Sequence, residues 1–217
     1  MESREILVDI KQELENKKFN LFIKRAFDII ASFCGLIILS PMLLIVSLAI
    51  KIDSKGPVFF KQKRVGKNNK IFEIYKFRTM VTDAEKLGKQ ITVGNDSRIT
   101  RVGTFIRKCK LDEFPQLINV LKGEMSLVGP RPEVPRYVDL YDEYQSQILL
   151  VQPGITDYAS IEYRNENEIL GKSENPEKTY IEEIMPTKIE LNMKYIRNIS
   201  LFEDIKLVIA TISAIIK

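Results

Sequence analysis

The chain of 217 residues contains no histidine and no tryptophan, and only two cysteines. Without imidazole there is no Ser-His or Cys-His nucleophile pair, no histidine general base and no histidine-bearing zinc site. Acid–base or nucleophilic work therefore falls to carboxylates, lysines, tyrosines or thiols. Cys34 and Cys109 do not make a disulfide framework and fit a reducing compartment. Helix-turn-helix, zinc-finger and RNP patterns are also missing, so the basic residues do not read as a nucleic-acid surface. Finally, formal charge is missing altogether from Ile29 to Ile50.

That uncharged run is long enough to cross a hydrocarbon core of about 30 Å as a helix. Two features argue against a plain crossing. Ser40-Pro41 lies near its middle, where proline removes a helical hydrogen bond and bends the chain. Lys24 and Arg25 precede the run while Lys51 and Lys55 follow it, so the positive-inside rule puts both ends on the cytoplasmic side. A broken helix that enters and leaves through one leaflet is expected, the alternative being a conventional kinked transmembrane helix in which Ser hydroxyls satisfy the freed carbonyls; Asp28 is expected to pair with Lys24 or Arg25 or to cap the helix. Ile6, Ile10 and Leu14 give the preceding segment, Ile6 to Asn20, the spacing of an amphipathic surface helix. At the other end, Ile205 to Ile216 is apolar but too short to span, which suits a helix lying in the interface or packed on the core.

Lysine and arginine number 33 against 29 acidic residues, a net of +4, but the charge is unevenly spread. Residues 51–110 hold 16 basic and 5 acidic side chains, whereas residues 139–190 hold 4 basic and 12 acidic ones. A basic section directly after an apolar run suits an anionic membrane surface and anionic substrates.

The run Leu111-Asp112-Glu113-Phe114-Pro115-Gln116-Leu117 sets two adjacent carboxylates a short way before Val128-Gly129-Pro130-Arg131-Pro132. A helix is expected to begin at Asp112, with Pro115 tolerated in its first turn and Gly123 as its stop signal. The carboxylates then face the positive helix end, which favours their ionised form. An ionised carboxylate can attack phosphorus or hold magnesium, and an arginine can clamp phosphate oxygens at two points. Acidic residues at a helix start and a stiff Pro-Arg-Pro loop are also ordinary structural features, so the pattern alone does not decide. Arg131, framed by Pro130 and Pro132, and Arg107 rank first as phosphate contacts, with Arg78 next. Arg107 is also placed to lower the pKa of Asp112 by its charge.

The remainder reads as an α/β, helix-dominated body. Short strands are expected at Pro57–Phe60 and Ile71–Tyr75 around a turn at Gly66–Asn69. Helices are expected at Asp83–Leu87 and Thr104–Lys108, a turn at Pro153–Gly154 and a long loop over Asn165–Lys178. Three sections follow: an N-terminal extension, 1–22; a re-entrant membrane helix, 23–52; and a cytoplasmic domain, 53–217.

Seven blocks occur in order: Lys24-Arg25-Ala26-Phe27-Asp28, Ser40-Pro41, Gly56 to Gly66, Lys76-Phe77-Arg78-Thr79-Met80, the Asp112-Glu113 run, Val128 to Pro132, and Pro153-Gly154-Ile155-Thr156. From about Lys24 onward the chain resembles the small monotopic phosphoglycosyl transferases of the bacterial sugar transferase family. The resemblance implies a re-entrant hairpin on the cytoplasmic face of the bacterial inner membrane. It also implies transfer of a sugar 1-phosphate from a nucleotide-diphosphate sugar, here a UDP-sugar, to polyprenyl (undecaprenyl) phosphate with release of UMP. Asp112 matches the family's aspartate nucleophile, which forms a covalent phosphosugar intermediate. Glu113, with Asp112, matches the magnesium site. Downstream glycosyltransferases are the implied partners. Where many relatives carry Gly-Trp-Ala after the last block, this chain has Asp157-Tyr158-Ala159, so sugar contacts do not carry over. From another class, a non-catalytic membrane adaptor for anionic lipid or a partner glycosyltransferase needs the basic face but not the Asp-Glu pair. A glycosidase is disfavoured, because neighbouring carboxylates on one turn cannot flank a glycosidic bond from opposite sides.

Overall fold

The computed structural model describes residues 10–84 and 96–216. A helical stretch at residues 10–16 leads into α1 (Lys18–Asp53). Strands β1 (Phe59–Val65) and β2 (Ile71–Phe77) then form an antiparallel hairpin, followed by α2 (Arg101–Lys108) and α3 (Gln116–Lys122). Next come β3 (Ser126–Val128), α4 (Pro135–Val138), β4 (Gly154–Thr156), α5 (Tyr158–Glu162), α6 (Glu166–Gly171), α7 (Pro176–Thr179), α8 (Met185–Arg197) and α9 (Leu201–Ile216). The helix-dominated α/β expectation holds, with a second two-stranded sheet, β3 and β4, beside the expected hairpin.

Helix α1 is the one helix among the described residues long and apolar enough to cross a membrane. Helical conformation continues through Pro41. Proline cannot donate to the carbonyl of Ile37, and the Ser40 hydroxyl donates to that oxygen at 2.7 Å instead. The break expected at Ser40-Pro41 is thus a lost amide bond within a continuous helix. Phe33, Ile37, Ile38, Leu44 and Ile45 are exposed. The two ends of the apolar run behave differently. At the first, Lys24 donates to Val128 O, and Asp28 accepts from Ser126 Oγ and Leu127 N. At the second, Val46 and Ile50 are buried against Phe77 and Ile106. Both ends therefore rest on the same α/β body, across about 39 Å of helix contour at 1.5 Å per residue.

The main core gathers around α8, where Ile189, Met193 and Ile196 recur at helical spacing and meet Leu170, Ile148 and Leu207. Ile10 is buried in this core and Leu14 packs against it. The amphipathic segment is thus part of the body as well as of the extension; Ile6 lies outside the described residues. Helix α9 leaves Phe202, Ile205, Ile209 and Ile212 exposed on one side, as expected of a helix meeting an interface.

Several local expectations change. The hairpin runs further than its apolar residues suggested, and Asn68 and Asn69 take left-handed backbone in its turn, a conformation asparagine tolerates. From residue 85 the helix expected at Asp83–Leu87 lies outside the described residues. Gly154 opens a strand rather than marking a turn: β4 runs parallel to β3. The stretch expected as a loop over Asn165–Lys178 contains α6 and α7; Asn175 caps α7 through its side chain, and Leu170 anchors α6 in the core.

Candidate active site

Three elements converge on the acidic pair. Helix α3 is strapped to β2 by Asn119, whose Oδ1 accepts from Tyr75 N at 2.9 Å and whose Nδ2 donates to Glu73 O at 2.7 Å. Phe72 and Ile74 face Val120 and Met125 across this contact. Strand alternation puts Lys76 on the same face as Phe72 and Ile74, at the end nearest the start of α3. Its ammonium donates to Glu113 Oε1 at 2.9 Å.

Asp112 and Glu113 do not open an α-helix as expected. They occupy a separate 3-10 turn, Leu111–Glu113, entered through Lys110 in left-handed conformation, and Pro115 precedes α3 with no amide to give. The electrostatic expectation reverses with the geometry. Burial, and next the Glu113 charge, push the Asp112 carboxyl above its ordinary pKa, while Lys76 and Arg107 pull the other way without cancelling them. Desolvation of a partly buried carboxylate outweighs a helix dipole that is not aimed at it.

Glu113 takes the opposite course. Burial would raise its pKa, but Arg131 and then Lys76 outweigh burial and hold it well below the usual carboxylate range. Arg131 Nη1 donates to Glu113 Oε2 at 3.2 Å, and Nη2 donates to Oε1 in a short second bond that completes a two-point fork. The Arg131 guanidinium is raised in turn by Glu113 against burial.

The loop that presents Arg131 is fixed at nearly every backbone group. Val128 O accepts from Lys24 at 2.9 Å, Gly129 N donates to Thr156 O at 3.0 Å and Pro130 O accepts from Gly154 N at 2.9 Å. Arg131 N donates to Asp157 Oδ2 at 3.1 Å, and Pro132 O accepts from Arg64 at 3.0 Å. Gly129 and Gly154 make this possible, because a Cβ on Gly154 would lie 2.1 Å from Gly129 N. Pro130 and Pro132 thus frame the arginine through their carbonyls as well as their rings.

Among the described residues no three carboxylates or thiols converge to cage an ion. Magnesium binds through one or two carboxylates with substrate phosphates and water completing its shell. Asp112 fits that mode, since among the described residues it has no side-chain hydrogen-bond partner for an ion to displace, whereas both oxygens of Glu113 are taken by Lys76 and Arg131 and at least one would have to be released.

The sequence matches the bacterial sugar transferase family over residues 19–217. The chain belongs to that family. It is 42% identical over 198 residues to the UDP-N-acetylgalactosamine-undecaprenyl-phosphate N-acetylgalactosaminephosphotransferase of Aeromonas hydrophila, covering 90% of this chain and 44% of that protein. It is 40% identical over 198 residues to the UDP-glucose:undecaprenyl-phosphate glucose-1-phosphate transferase of Escherichia coli K12, covering 89% and 40%. It is 40% identical over 201 residues to the exopolysaccharide production protein PSS of Rhizobium leguminosarum bv. phaseoli, covering 89% and 94%. The chain thus spans less than half the length of the first two.

In this chain the arginines expected at phosphate divide. Arg131 joins the acidic pair. Arg107 donates through Nε to Thr79 Oγ1 at 2.8 Å and acts on Asp112 by its charge. Arg78 is buried and committed elsewhere: its Nη groups donate to Lys55 O at 2.6 Å and to Ser54 O at 2.7 Å, tying the end of α1 to β2. Lys76 and Asp157 were not singled out from the sequence. Lys76 lies in the same block as Arg78, and the period-2 apolar pattern of Phe72 and Ile74 points to it.

Proposed function

We propose that this chain transfers a sugar 1-phosphate from a UDP-sugar to undecaprenyl phosphate, giving undecaprenyl-diphosphate sugar and UMP. The observation that carries this reading is a half-buried Asp112 carboxylate, without a side-chain hydrogen bond among the described residues, beside Glu113 and two cations, on a body that also carries a helix long and apolar enough to cross a membrane. The Aeromonas and Escherichia relatives named above act on undecaprenyl phosphate and UDP-sugars by their names, which supports the same donor and acceptor here.

In this reading an Asp112 carboxylate oxygen attacks the phosphorus that bears the sugar. A bond forms between that oxygen and phosphorus, and the bond to the bridging oxygen breaks, so UMP leaves with the electron pair. A phosphate oxygen of the polyprenyl acceptor then attacks the same phosphorus and Asp112 departs as carboxylate. Two steps let two mutually repelling anions use one site in turn. Arg131 orients donor oxygens by its planar fork, which Glu113 occupies together with Lys76 when no donor is bound. Asp112, with Glu113 once it releases one of its cations, would hold magnesium, which would supply charge neutralisation. Desolvation of Asp112 removes the water that would blunt its nucleophilicity.

Both ends of α1 resting on one body support a re-entrant, monotopic anchor on the cytoplasmic face, where UDP-sugars are available. The product then passes to downstream glycosyltransferases. The test is intact-protein mass measurement after incubation with donor and magnesium but no acceptor. An added phosphosugar that maps to Asp112, absent in Asp112→Asn, is expected. An adduct persisting in Asp112→Asn, or mapped to Glu113, would overturn the assignment, and no UMP release at all would favour an adaptor.

A further inference from the structure

Glu113 is a carboxylate held between an ammonium and a guanidinium. Lys76 reaches Oε1 at 2.9 Å from the strand side, and Arg131 forks both oxygens from the loop side. A gap lined by those donors also fits two non-bridging oxygens of a phosphate, since guanidinium binds carboxylate and phosphate with the same planar geometry. The two cations come from rigid elements. Lys76 is in the hairpin strand that Asn119 straps to α3, and Arg131 is in a loop pinned by Asp157 and Gly154. Glu113, by contrast, sits on a short 3-10 turn that follows a left-handed residue. The carboxylate is therefore the partner best able to move.

Resting on the UDP-sugar reading above, we propose that Lys76 and Arg131 form a two-cation clamp for a phosphate of the nucleoside-diphosphate donor, and that Glu113 competes with that phosphate for it. Lys76 is then a substrate-binding residue, and Glu113 must yield at least one of its cations when the donor binds. A displaced Glu113 turns its oxygens toward the donor's own counter-ion, so donor binding and cation binding are linked through one side chain.

The test is UDP binding to the full chain in detergent, by calorimetry, with chelator present and no magnesium. Removing the competitor in Glu113→Gln should tighten UDP binding several-fold although sugar transfer is slowed. Adding Lys76→Gln to that variant should weaken binding about tenfold, the order expected for one lost charge-assisted hydrogen bond, and Lys76→Arg in the same background should retain most of it. Equal or weaker binding by Glu113→Gln overturns the competition, and a double variant equal to Glu113→Gln overturns the role of Lys76. If the Lys76→Gln protein does not fold by thermal unfolding, Lys76→Arg and Glu113→Gln decide. Failure of both the wild type and Glu113→Gln to bind UDP, with chelator and again with magnesium, sinks the donor reading itself, whereas wild-type binding with unresponsive variants sinks only the clamp.

Discussion

Lys24 and Asp204, 180 positions apart in the sequence, meet in the interior at 2.5 Å. Lys24 also donates to Val128 O at 2.9 Å, Asp28 lies 3.9 Å away, and the Tyr195 hydroxyl bonds the other oxygen of Asp204 at 2.6 Å. One ammonium thus joins the long apolar helix α1, the last helix and the strand that leads to Arg131. Burial pushes Asp204 upward, with Lys24 as the largest opposing influence.

Lys24→Met should destabilise the protein by about 3–5 kcal/mol, because it leaves a carboxylate buried without its cation. Adding Asp204→Leu removes the stranded charge and should recover part of the loss, a coupling that a double-mutant cycle reads directly. Thermal unfolding in detergent measures both. A single variant within about 1 kcal/mol of wild type would mean that water reaches the pair and that it does not tie the anchor to the body.

The seven sequence blocks contain most of the residues that meet at the site, yet their contacts were only partly legible. Asp112, Glu113 and Arg131 are singled out by their place in the ordered blocks, since paired carboxylates and a Pro-framed arginine are not specific to phosphate by themselves. Arg78 was not distinguishable from them, since a guanidinium in a matched block looks the same whether it meets phosphate or the carbonyls of Ser54 and Lys55. Lys76 was hidden by the reverse problem: its role depends on the docking of β2 on α3, a contact made by Asn119 far along the chain. The pKa of Asp112 was misread for a related reason. A helix start is a local feature, whereas burial is set by the assembled body, and burial wins. Short elements suffered most. Strands β3 and β4 have three residues each, too few for an alternating pattern, and exist because Gly129 and Gly154 let two backbones touch.

Gly154→Ala tests that close approach. Its Cβ would meet Gly129 N at 2.1 Å, Gly129 O at 2.5 Å and Val128 C at 2.6 Å, all backbone atoms that cannot rotate aside. Overpacking of this kind costs about 1–3 kcal/mol or more, and relief by strand separation carries Arg131 away from Glu113. Lower thermal stability together with weaker UDP binding is expected. Gly35→Ala is the control, since its Cβ meets only Leu117 Cδ1 at 3.4 Å. Equal behaviour of the two variants would show that β3 and β4 need no glycine contact.

The Ser40-Pro41 step makes a prediction about topology. Pro41 leaves Ile37 O without an amide donor and Ser40 satisfies it, so the helix tolerates a weak point within its apolar run at little cost. Replacing both residues by alanine restores the amide and a stiffer helix able to span about 30 Å. Cysteines placed at Lys18 and Lys55, with Cys34 and Cys109 replaced by serine, report the side of each flank by labelling in sealed vesicles. Wild type should label on one side only and the double alanine variant on both. Wild-type flanks on opposite sides would rule out the hairpin.

Arg131→Lys should hurt far more than its retained charge suggests. Lysine keeps a cation but not the planar fork that reaches both oxygens of Glu113. Its shorter reach cannot be made up by the backbone, because Arg131 N is held by Asp157, Pro130 O by Gly154 N and Pro132 O by Arg64. The loss is therefore one of geometry at the side chain, and it should appear as a fall of about 10–100-fold in kcat/KM, corresponding to about 1.4–2.8 kcal/mol. Thermal unfolding should move much less than it does for Lys24→Met, since Arg131 is partly exposed and Glu113 keeps Lys76. If turnover and donor affinity both stay near wild type in a folded lysine variant, the fork does not touch the donor and Arg131 merely holds Glu113 in place.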